Sequence, residues 1–386
     1  MITNILLTDM KHYFLLFILL LVIITIEGCT EELHPETNGT NSPVLNEGEL
    51  TKAVLDLSVN TFAVEAQAET RASIPSNIPE NETSEEKEVH NIWVFQYDAV
   101  TKELLIKPRY YTITDQIMLQ DLPVYLKAGI PSFVYVVTNT GYDNWVNDDT
   151  DTSWQKFKNL EQLKKQTLPT AFPLRSIDKV SIPMVGASEE VEVTTGITVT
   201  VPVTRMYAKL KVKVEMLKAE MKLNNVNVRQ IPNICRIETF AGDGNGEPMN
   251  AVPFPDGTTF SSIAFAASDL EKSEDKEWAV FYVPENLQGE IENQGGNKSD
   301  AAPTNALVVD VTAEIGGEKY LYAAYPGGNS LNNFNIQRNQ VYRMTLTITG
   351  EKGQNNPSSN CFVVKPNGFL SFEPYYRVET GGGYNF

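Results

Sequence analysis

Histidine and cysteine, the side chains most used for transition-metal binding and nucleophilic catalysis, are scarce in this chain. It has 386 residues but only three histidines and three cysteines. His12 falls in an apolar leader and His34 in a polar tether, which leaves His90 in the part of the chain that is patterned like a folded domain. One histidine cannot build a His-rich zinc site, and a Ser-His-Asp triad would depend on it alone. We expect His90 at the surface or at a strand edge.

The cysteines give no metal or redox motif. Cys235 and Cys361 follow Cys29 at distances that match no C-x-x-C or similar spacing. In an oxidising compartment these two could form a disulfide, whereas Cys235 alone is typical of a small buried apolar residue. The sequence leaves both interpretations open.

One acidic segment has part of a calcium-loop spacing. Asn147, Asp149 and Asp151 stand at positions one, three and five of such a loop, but positions six and twelve hold Thr152 and Lys158 instead of glycine and glutamate. The EF-hand interpretation therefore fails. The chain has 49 acidic residues, and nothing singles out a catalytic pair among them. We expect no enzymatic activity, no metal and no cofactor. A net charge of -18 also disfavours nucleic-acid binding.

Cys29 is the residue with the most specific expected chemistry. It follows an apolar run of 14 residues from Tyr13 to Ile26, which is the length of a signal-peptide core and too short to span a bilayer. The sequence Ile26-Glu27-Gly28-Cys29 resembles the lipobox of bacterial lipoproteins, in which the cysteine is diacylated and becomes the mature N-terminus. The alternative is an ordinary secretory signal followed by a chance cysteine.

The residues before and after the apolar run are also typical of an envelope protein. Residues 1–9 carry no basic residue, whereas Lys11 directly precedes the apolar run, so translation from Met10 would give the positive start that a signal peptide needs. Residues 29–49 are polar and without periodicity, as in a flexible tether. We therefore predict a signal peptide over residues 1–28 and a lipid-anchored tether over residues 29–49.

The elements that must position any site are β-strands. Apolar and polar residues alternate with a period of two from about Leu50 onward, for example at Leu55, Leu57 and Val59. Such strands, with one apolar face, are typical of antiparallel sandwiches. We predict an all-β chain with two tandem sandwich domains, over residues 50–203 and 204–350, and an extension over residues 351–386. One short helical pattern begins at Trp154.

A long polar loop follows the first predicted strand, residues 53–60. It covers residues 62–89 and contains Arg71, which is the only arginine before Arg109. Exposed loops of this composition are where proteases cut. Arg71 therefore stands in a segment that proteases favour, although one exposed arginine in a linker has no necessary function.

Four segments, in order, carry a resemblance to the fimbrillin superfamily of Bacteroidetes, the lipoprotein pilins of type V pili. The first is the strand segment after the loop, residues 88–98. The second is Ile182-Pro183-Met184-Val185-Gly186, and the third is residues 203–209, VTRMYAK. The fourth is residues 334–343, FNIQRNQVYR. Together with the lipobox, the tether and the isolated first strand, they extend the resemblance over residues 29–350.

The resemblance implies two transthyretin-like sandwiches and a mechanism of assembly. Such pilins lose their first strand, here the one with Leu55, Leu57 and Val59, after an arginine-specific or trypsin-like protease cuts the following loop. In this chain the resemblance implies a cut between Arg71 and Ala72. A strand from a neighbouring subunit then fills the groove, so that head-to-tail contacts build a filament that serves adhesion. The implied partners are other fimbrial subunits, the protease and the outer membrane, where lipid on Cys29 holds the surface-exposed protein.

Several roles stay open at this point. Stalk pilin, tip pilin and uncleaved anchor all fit the sequence. Residues 360–366, NCFVVKP, resemble a motif of larger fimbrillin-like proteins in which further sequence follows. Either residues 362–378 are a donor tail, or the chain is a truncated version of a longer tip or accessory protein. A different function is glycan binding by a surface lipoprotein of a polysaccharide-uptake system. Of the four tryptophans, Trp93, Trp154 and Trp278 are expected in the core, which leaves Trp145 as the candidate for ligand contact.

Overall fold

The structure is a computed structural model, and it describes most of the chain from Leu50 onward. The described residues are 50–64, 82–113, 120–141, 153–169, 174–178, 181–216, 218–238, 250–273, 276–292, 298–328, 332–348, 362–366 and 376–378. The predicted signal peptide, lipidation site, tether and cleavage position lie outside them, as do Trp145, Cys361 and the three acidic-segment residues Asn147, Asp149 and Asp151.

Eight strands form the first sheet, in the order β4-β3-β6-β9-β11-β1-β5, with β10 also paired to β6. Their bounds are β1 Leu50–Val59, β3 Asn91–Asp98, β4 Arg109–Thr112, β5 Leu122–Lys127, β6 Pro131–Thr138, β9 Met184–Ala187, β10 Val191–Glu192 and β11 Thr198–Arg205. Alternate residues of β1, β3, β5, β6 and β11 enter one buried apolar cluster, so this sheet encloses its own core.

The second sheet has the order β2-β19-β12-β16-β8, with β20 also paired to β19. Its strands are β2 Ala63–Val64, β8 Leu174–Arg175, β12 Tyr207–Met216, β16 Trp278–Pro284, β19 Gln340–Ile348 and β20 Phe362–Pro366. The third sheet has the order β15-β13-β17-β18-β21. Its strands are β13 Met221–Pro232, β15 Phe260–Ala266, β17 Val308–Ile315, β18 Glu318–Ala324 and β21 Tyr376–Val378.

Short elements connect these sheets. A two-stranded ribbon pairs β7, Thr167–Pro169, with β14, Ile234–Arg236. The predicted helical segment is present as a 3₁₀ turn over Ser153–Phe157 followed by α1 over Leu160–Lys164. The Asn159 side chain caps α1 by accepting from the Gln162 amide. A second helix, α2, covers Ala267–Leu270, and 3₁₀ turns cover Glu85–Lys87 and Lys298–Ala301.

Two further cores lie beyond the first sheet. The second and third sheets pack face to face over a cluster that includes Leu210, Phe281 and Val309. The other core, which we call the junction core, joins residues of the first sheet to residues of the second. Its members include Phe62, Trp93, Phe157, Leu163, Met206, Tyr207 and Tyr282. The helical segment is therefore buried between the sheets through Phe157 and Leu163.

The glycine of the second resemblance segment has a steric reason. Strand β9 pairs with β11 so closely that a Cβ on Gly186 would lie 1.9 Å from the carbonyl oxygen of Pro202. No side chain fits there, so the close pairing of Gly186 with Val203 requires glycine. Pro202 itself faces outward and is exposed, as its place in the alternating pattern predicts.

The all-β prediction is confirmed, with one difference in detail. Most strand pairs are antiparallel, but β1 pairs in parallel with β11, and β19 pairs in parallel with both β12 and β2. Period-two alternation is the same in both directions, so the sequence could not distinguish them. Strands β2 and β8 come from the first half of the chain yet extend the second sheet.

Candidate functional site

Strand β1 lies inside the first sheet, between two neighbours. Residues 54–59 pair in parallel with residues 198–203 of β11. Residues 50–55 pair in antiparallel with residues 122–127 of β5. The strand that the sequence singles out as removable therefore has hydrogen-bonding partners on both sides.

The inward face of β1 is part of the core of the first sheet. Ala53 and Leu55 are completely buried, Leu57 is 5% exposed, and Val59 is partly buried at the end of the strand. Truncating one such leucine to alanine costs about 2–5 kcal/mol in typical cores. The loss of the whole strand would leave these apolar positions open and would orphan backbone groups on β5 and β11. The resulting groove would fit an extended segment with the same alternation.

The residues that directly follow β1 contact a buried group of charged residues. Glu82, Glu86, Arg205 and Lys209 form this group, and Tyr282 and Asn339 complete it. We call these six residues the Arg205 cluster. Arg205 is the last residue of β11, whereas Lys209, Tyr282 and Asn339 belong to the second sheet or its approach. The cluster therefore joins the first sheet to the second.

Arg205 is the centre of the cluster. Its side chain is completely buried, and its Nε donates to the carbonyl oxygen of Glu86 at 2.8 Å. Its Nη1 donates to the carbonyl oxygen of Asn60 at 2.7 Å and to Oδ1 of Asn339 at 3.2 Å. Its Nη2 lies 3.4 Å from Oε2 of Glu82. One guanidinium thus holds residues on both sides of the loop that follows β1.

The second cation of the cluster holds the second carboxylate. Lys209 Nζ lies 2.7 Å from Oε1 of Glu86, and the Tyr282 hydroxyl donates to that same oxygen. Both Glu86 and Tyr282 are buried, and Lys209 is almost so. Two buried cations therefore face two buried carboxylates, which is the balance that a low-dielectric site requires.

Burial and pairing shift the protonation equilibria of this cluster. Burial lowers the pKa of Arg205, and the charges of Glu82 and Glu86 oppose that shift. Burial alone would raise the pKa of Glu82, but hydrogen bonds from Lys87 and from the Phe62 amide, together with the Arg205 charge, leave that pKa below its usual range. Burial and then Glu86 raise the pKa of Tyr282, which keeps its hydroxyl a donor.

Phe62 covers the cluster from the side of β1. Its ring centroid lies 4.2 Å from Cζ of Arg205 and 5.7 Å from Nζ of Lys209, both within cation–π range. Its backbone N–H donates to Oε1 of Glu82, and the preceding carbonyl, that of Thr61, accepts from Asn339 Nδ2 at 2.8 Å. The residues directly after β1 thus contact the cluster through two backbone carbonyls, one N–H and one aromatic ring.

The predicted cleavage position falls between the two segments that the cluster binds. Residues 60–62, which contact the cluster, precede this position in the sequence. Glu82 and Glu86, which belong to the cluster, follow it. Arg71 and Ala72 belong to the intervening residues 65–81, which the structure does not describe. Cys29 lies outside the described residues as well.

The tryptophans are placed largely as predicted. Trp93 is buried in the junction core, and Trp154 and Trp278 pack against it while partly exposed. The core assignment of these three is therefore confirmed. Trp145, the candidate for glycan contact, lies outside the described residues.

Several residues of the fourth resemblance segment, residues 334–343, make structural contacts in the folded chain. Arg338 is buried, pairs with Glu285 at 2.8 Å and donates to the carbonyls of residues 236–238. Asn339 has a left-handed backbone, with φ of 57°, which asparagine tolerates better than most residues. The Tyr342 hydroxyl accepts from the Gln337 amide at 2.8 Å. These contacts position Asn339 for the Arg205 cluster.

His90 and Cys235 take no part in the cluster. His90 immediately precedes β3, and its Nε2 lies 3.6 Å from Oε2 of Glu88 with both side chains partly exposed, as expected for a strand edge. Cys235 is buried and free, and burial raises the pKa of its thiol to about 12. Such a thiol is protonated at neutral pH and is a poor nucleophile.

Neither metal nor membrane features stand out in the part of the chain that the structure describes. There, no three His, Cys, Asp or Glu side chains come together in a way that could hold a metal ion. None of the described helices has the length and apolarity needed to cross a bilayer.

Comparison with known proteins gives one partial family match and several similar structures. The family described as a domain of unknown function, DUF4906, matches residues 281–346. No curated protein matches the chain. The C-terminally truncated tip fimbrial protein Mfa3 from Porphyromonas gingivalis is similar at 14% identity and a TM-score of 0.44, over 85% of this chain and 99% of that one. A fimbrial assembly protein from Parabacteroides distasonis is similar at 13% identity and a TM-score of 0.44, over 86% and 98%.

Proposed function

We propose that this chain is a fimbrial subunit that serves cell-surface adhesion and is assembled by protease-triggered strand exchange. It reaches the outer membrane as a lipoprotein diacylated on Cys29. The observation that carries the proposal is the position of β1, which lies between β11 and β5 and continues into the segment that contains Arg71. A strand so placed leaves a groove with two hydrogen-bonding edges, and a strand from another subunit can fill it.

The cut matters because it changes the competition for that groove. While the chain is intact, β1 is tethered to its own groove at a high effective concentration, and no external strand can compete. Cleavage between Arg71 and Ala72 by an arginine-specific or trypsin-like protease turns β1 into a dissociable ligand. A donor strand then enters, and because donor and groove are different surfaces, the contact propagates head to tail.

Intact mass and filament yield test the proposal together. In cells that contain an arginine-specific protease, we expect a mature chain that begins at Ala72 and carries no lipid. Arg71→Ala should remain diacylated from Cys29 and should form no filaments. Arg71→Lys should separate the two protease classes, since only a trypsin-like enzyme cuts after lysine. Arg109→Ala, which changes the next arginine along the chain, is the matched control and should mature normally.

Two results would contradict the proposal. Filaments from Arg71→Ala at the wild-type yield would exclude cleavage at this position as the trigger. A wild-type chain that stays diacylated from Cys29 in the presence of the protease would instead identify an uncleaved anchor.

A further inference from the structure

We infer that the Arg205 cluster is a recognition site that selects the replacing strand by the residues directly after it. The inference rests on the proposed strand exchange. The site would accept an extended segment of another chain with an aromatic residue, and not proline, at the place now held by Phe62. The evidence is the set of contacts that residues 60–62 make with the cluster.

The first part of the argument is what the cluster loses when the first strand leaves. Arg205 Nη1 loses the carbonyl of Asn60, and Asn339 Nδ2 loses the carbonyl of Thr61. Glu82 Oε1 loses the amide of Phe62. Arg205 is completely buried, and Asn339 and the Glu82 side chain are almost so. Arg205 Nη1 would keep Asn339 Oδ1 and Glu82 Oε1 as acceptors, but each lost hydrogen bond at a buried group is costly, so a segment that restores all three is favoured.

The second part is that Arg205, Asn339 and Glu82 can form these hydrogen bonds with a backbone in only one register. Two successive carbonyls and then one N–H are needed, in the order in which residues 60, 61 and 62 supply them. Every residue provides a backbone carbonyl, but proline has no N–H to give to Glu82. The third position of the replacing segment therefore excludes proline.

The third part concerns the side chain at that third position. The Phe62 ring faces the guanidinium of Arg205 at 4.2 Å and is only 5% exposed. A flat ring excludes water from the charged cluster and also presents its negative face to the two cations. An aliphatic side chain would supply the first effect but not the second. The site thus distinguishes aromatic from aliphatic residues.

The site adds specificity that the groove does not have. Along β1 the inward positions hold Ala53, Leu55 and Leu57, and many alternating apolar strands could fill such positions. The Arg205 cluster binds the residues that directly follow the strand. A charged and hydrogen-bonded site distinguishes between segments more sharply than an apolar pocket does.

Peptide exchange on the unaltered protein tests the inference. The full chain, purified in detergent, is cut with an arginine-specific protease at limiting concentration. It is then incubated with fluorescent peptides of residues 50–64, and bound peptide is measured after gel filtration. Because only the peptide changes, the variants cannot misfold the receptor. The peptides are the native sequence, Phe62→Ala, Phe62→Leu and, as a control at an exposed position, Ser58→Ala.

We expect the native peptide and the Ser58→Ala control to bind within twofold of each other. Phe62→Ala should bind at least tenfold more weakly, and Phe62→Leu at least threefold more weakly. If the native peptide binds and both Phe62 variants bind as tightly as the native peptide, the recognition inference is wrong while strand exchange stands. If no peptide enters the cut chain, the proposed exchange mechanism is itself wrong, and the inference falls with it.

Discussion

The ring of Phe62 lies over the guanidinium of Arg205, with 4.2 Å between the ring centroid and Cζ. Phe62 follows the first strand of the first sheet, and Arg205 ends the strand that pairs with it. After Met206 the chain enters the second sheet. This contact therefore ties the end of β1 to the passage between the sheets, so that losing β1 would alter a buried site that both sheets share.

Arg205 should be among the residues most important for stability. Arg205→Ala would remove the one completely buried cation of the cluster and would leave Glu86 with Lys209 and Glu82 with the partly exposed Lys87. Breaking a buried ion network in this way costs about 3–5 kcal/mol of unfolding free energy. Lys87→Ala is the control, because Lys87 pairs with the same Glu82 at 2.9 Å but is 43% exposed. Its loss should cost less than about 1 kcal/mol. Urea titration measures both, and equal effects would contradict a central role for Arg205.

The inward face of β1 should contribute to stability while the strand is in place. Leu55→Ala removes a completely buried side chain and should lower the unfolding free energy by about 2–5 kcal/mol. Ser58→Ala changes an exposed position of the same strand and should stay within about 0.5 kcal/mol of wild type. Denaturant unfolding of the uncut chain gives both values. If Leu55→Ala matched the control, β1 would not be held as the structure describes.

The cluster should also give a pH dependence through Glu82. The pKa of Glu82 in the folded chain lies below 4.5, the value for an unperturbed glutamate. The unfolded chain therefore takes up this proton first as pH falls. The stabilisation that comes from the ionised carboxylate is fully present above pH 4.5 and is lost as pH falls through the lower folded value.

Comparison with Glu82→Gln isolates this contribution. The difference in unfolding free energy between wild type and the variant should be constant between about pH 5 and pH 7, above the unperturbed value. It should shrink below pH 4.5. Urea titrations from pH 3 to pH 7 test this expectation. A difference that stays constant or widens toward low pH would contradict the assigned direction.

The strands of this protein were predictable because alternation is local. Leu55, Leu57 and Val59 alternate with polar residues, and the structure places them on the buried face of β1, with Val59 least covered at its end. The helical pattern at Trp154 was equally local and is present as a 3₁₀ turn and a short helix. A proline in β11 faces outward for the same reason.

The neighbours of each strand were not predictable in this way. Nothing in the alternation of β1 indicates that β11 lies parallel on one side and β5 antiparallel on the other. The same is true of β2, which follows β1 along the chain but pairs with β19 of the second sheet. Pairing depends on which distant segments bury their apolar faces together, and one strand's pattern is compatible with many partners.

The Arg205 cluster shows which features the sequence determines and which depend on the tertiary structure. By itself the sequence determined the residue types: an arginine in a strand-like motif, an acidic polar loop, and an aromatic residue after the first strand. Only the tertiary structure decided that Phe62, Glu82, Glu86 and Arg205 meet, and that they meet out of water. The physical reason is that charge pairing and burial depend on distance in space, and these residues, up to 143 positions apart in the sequence, come together only in the folded chain.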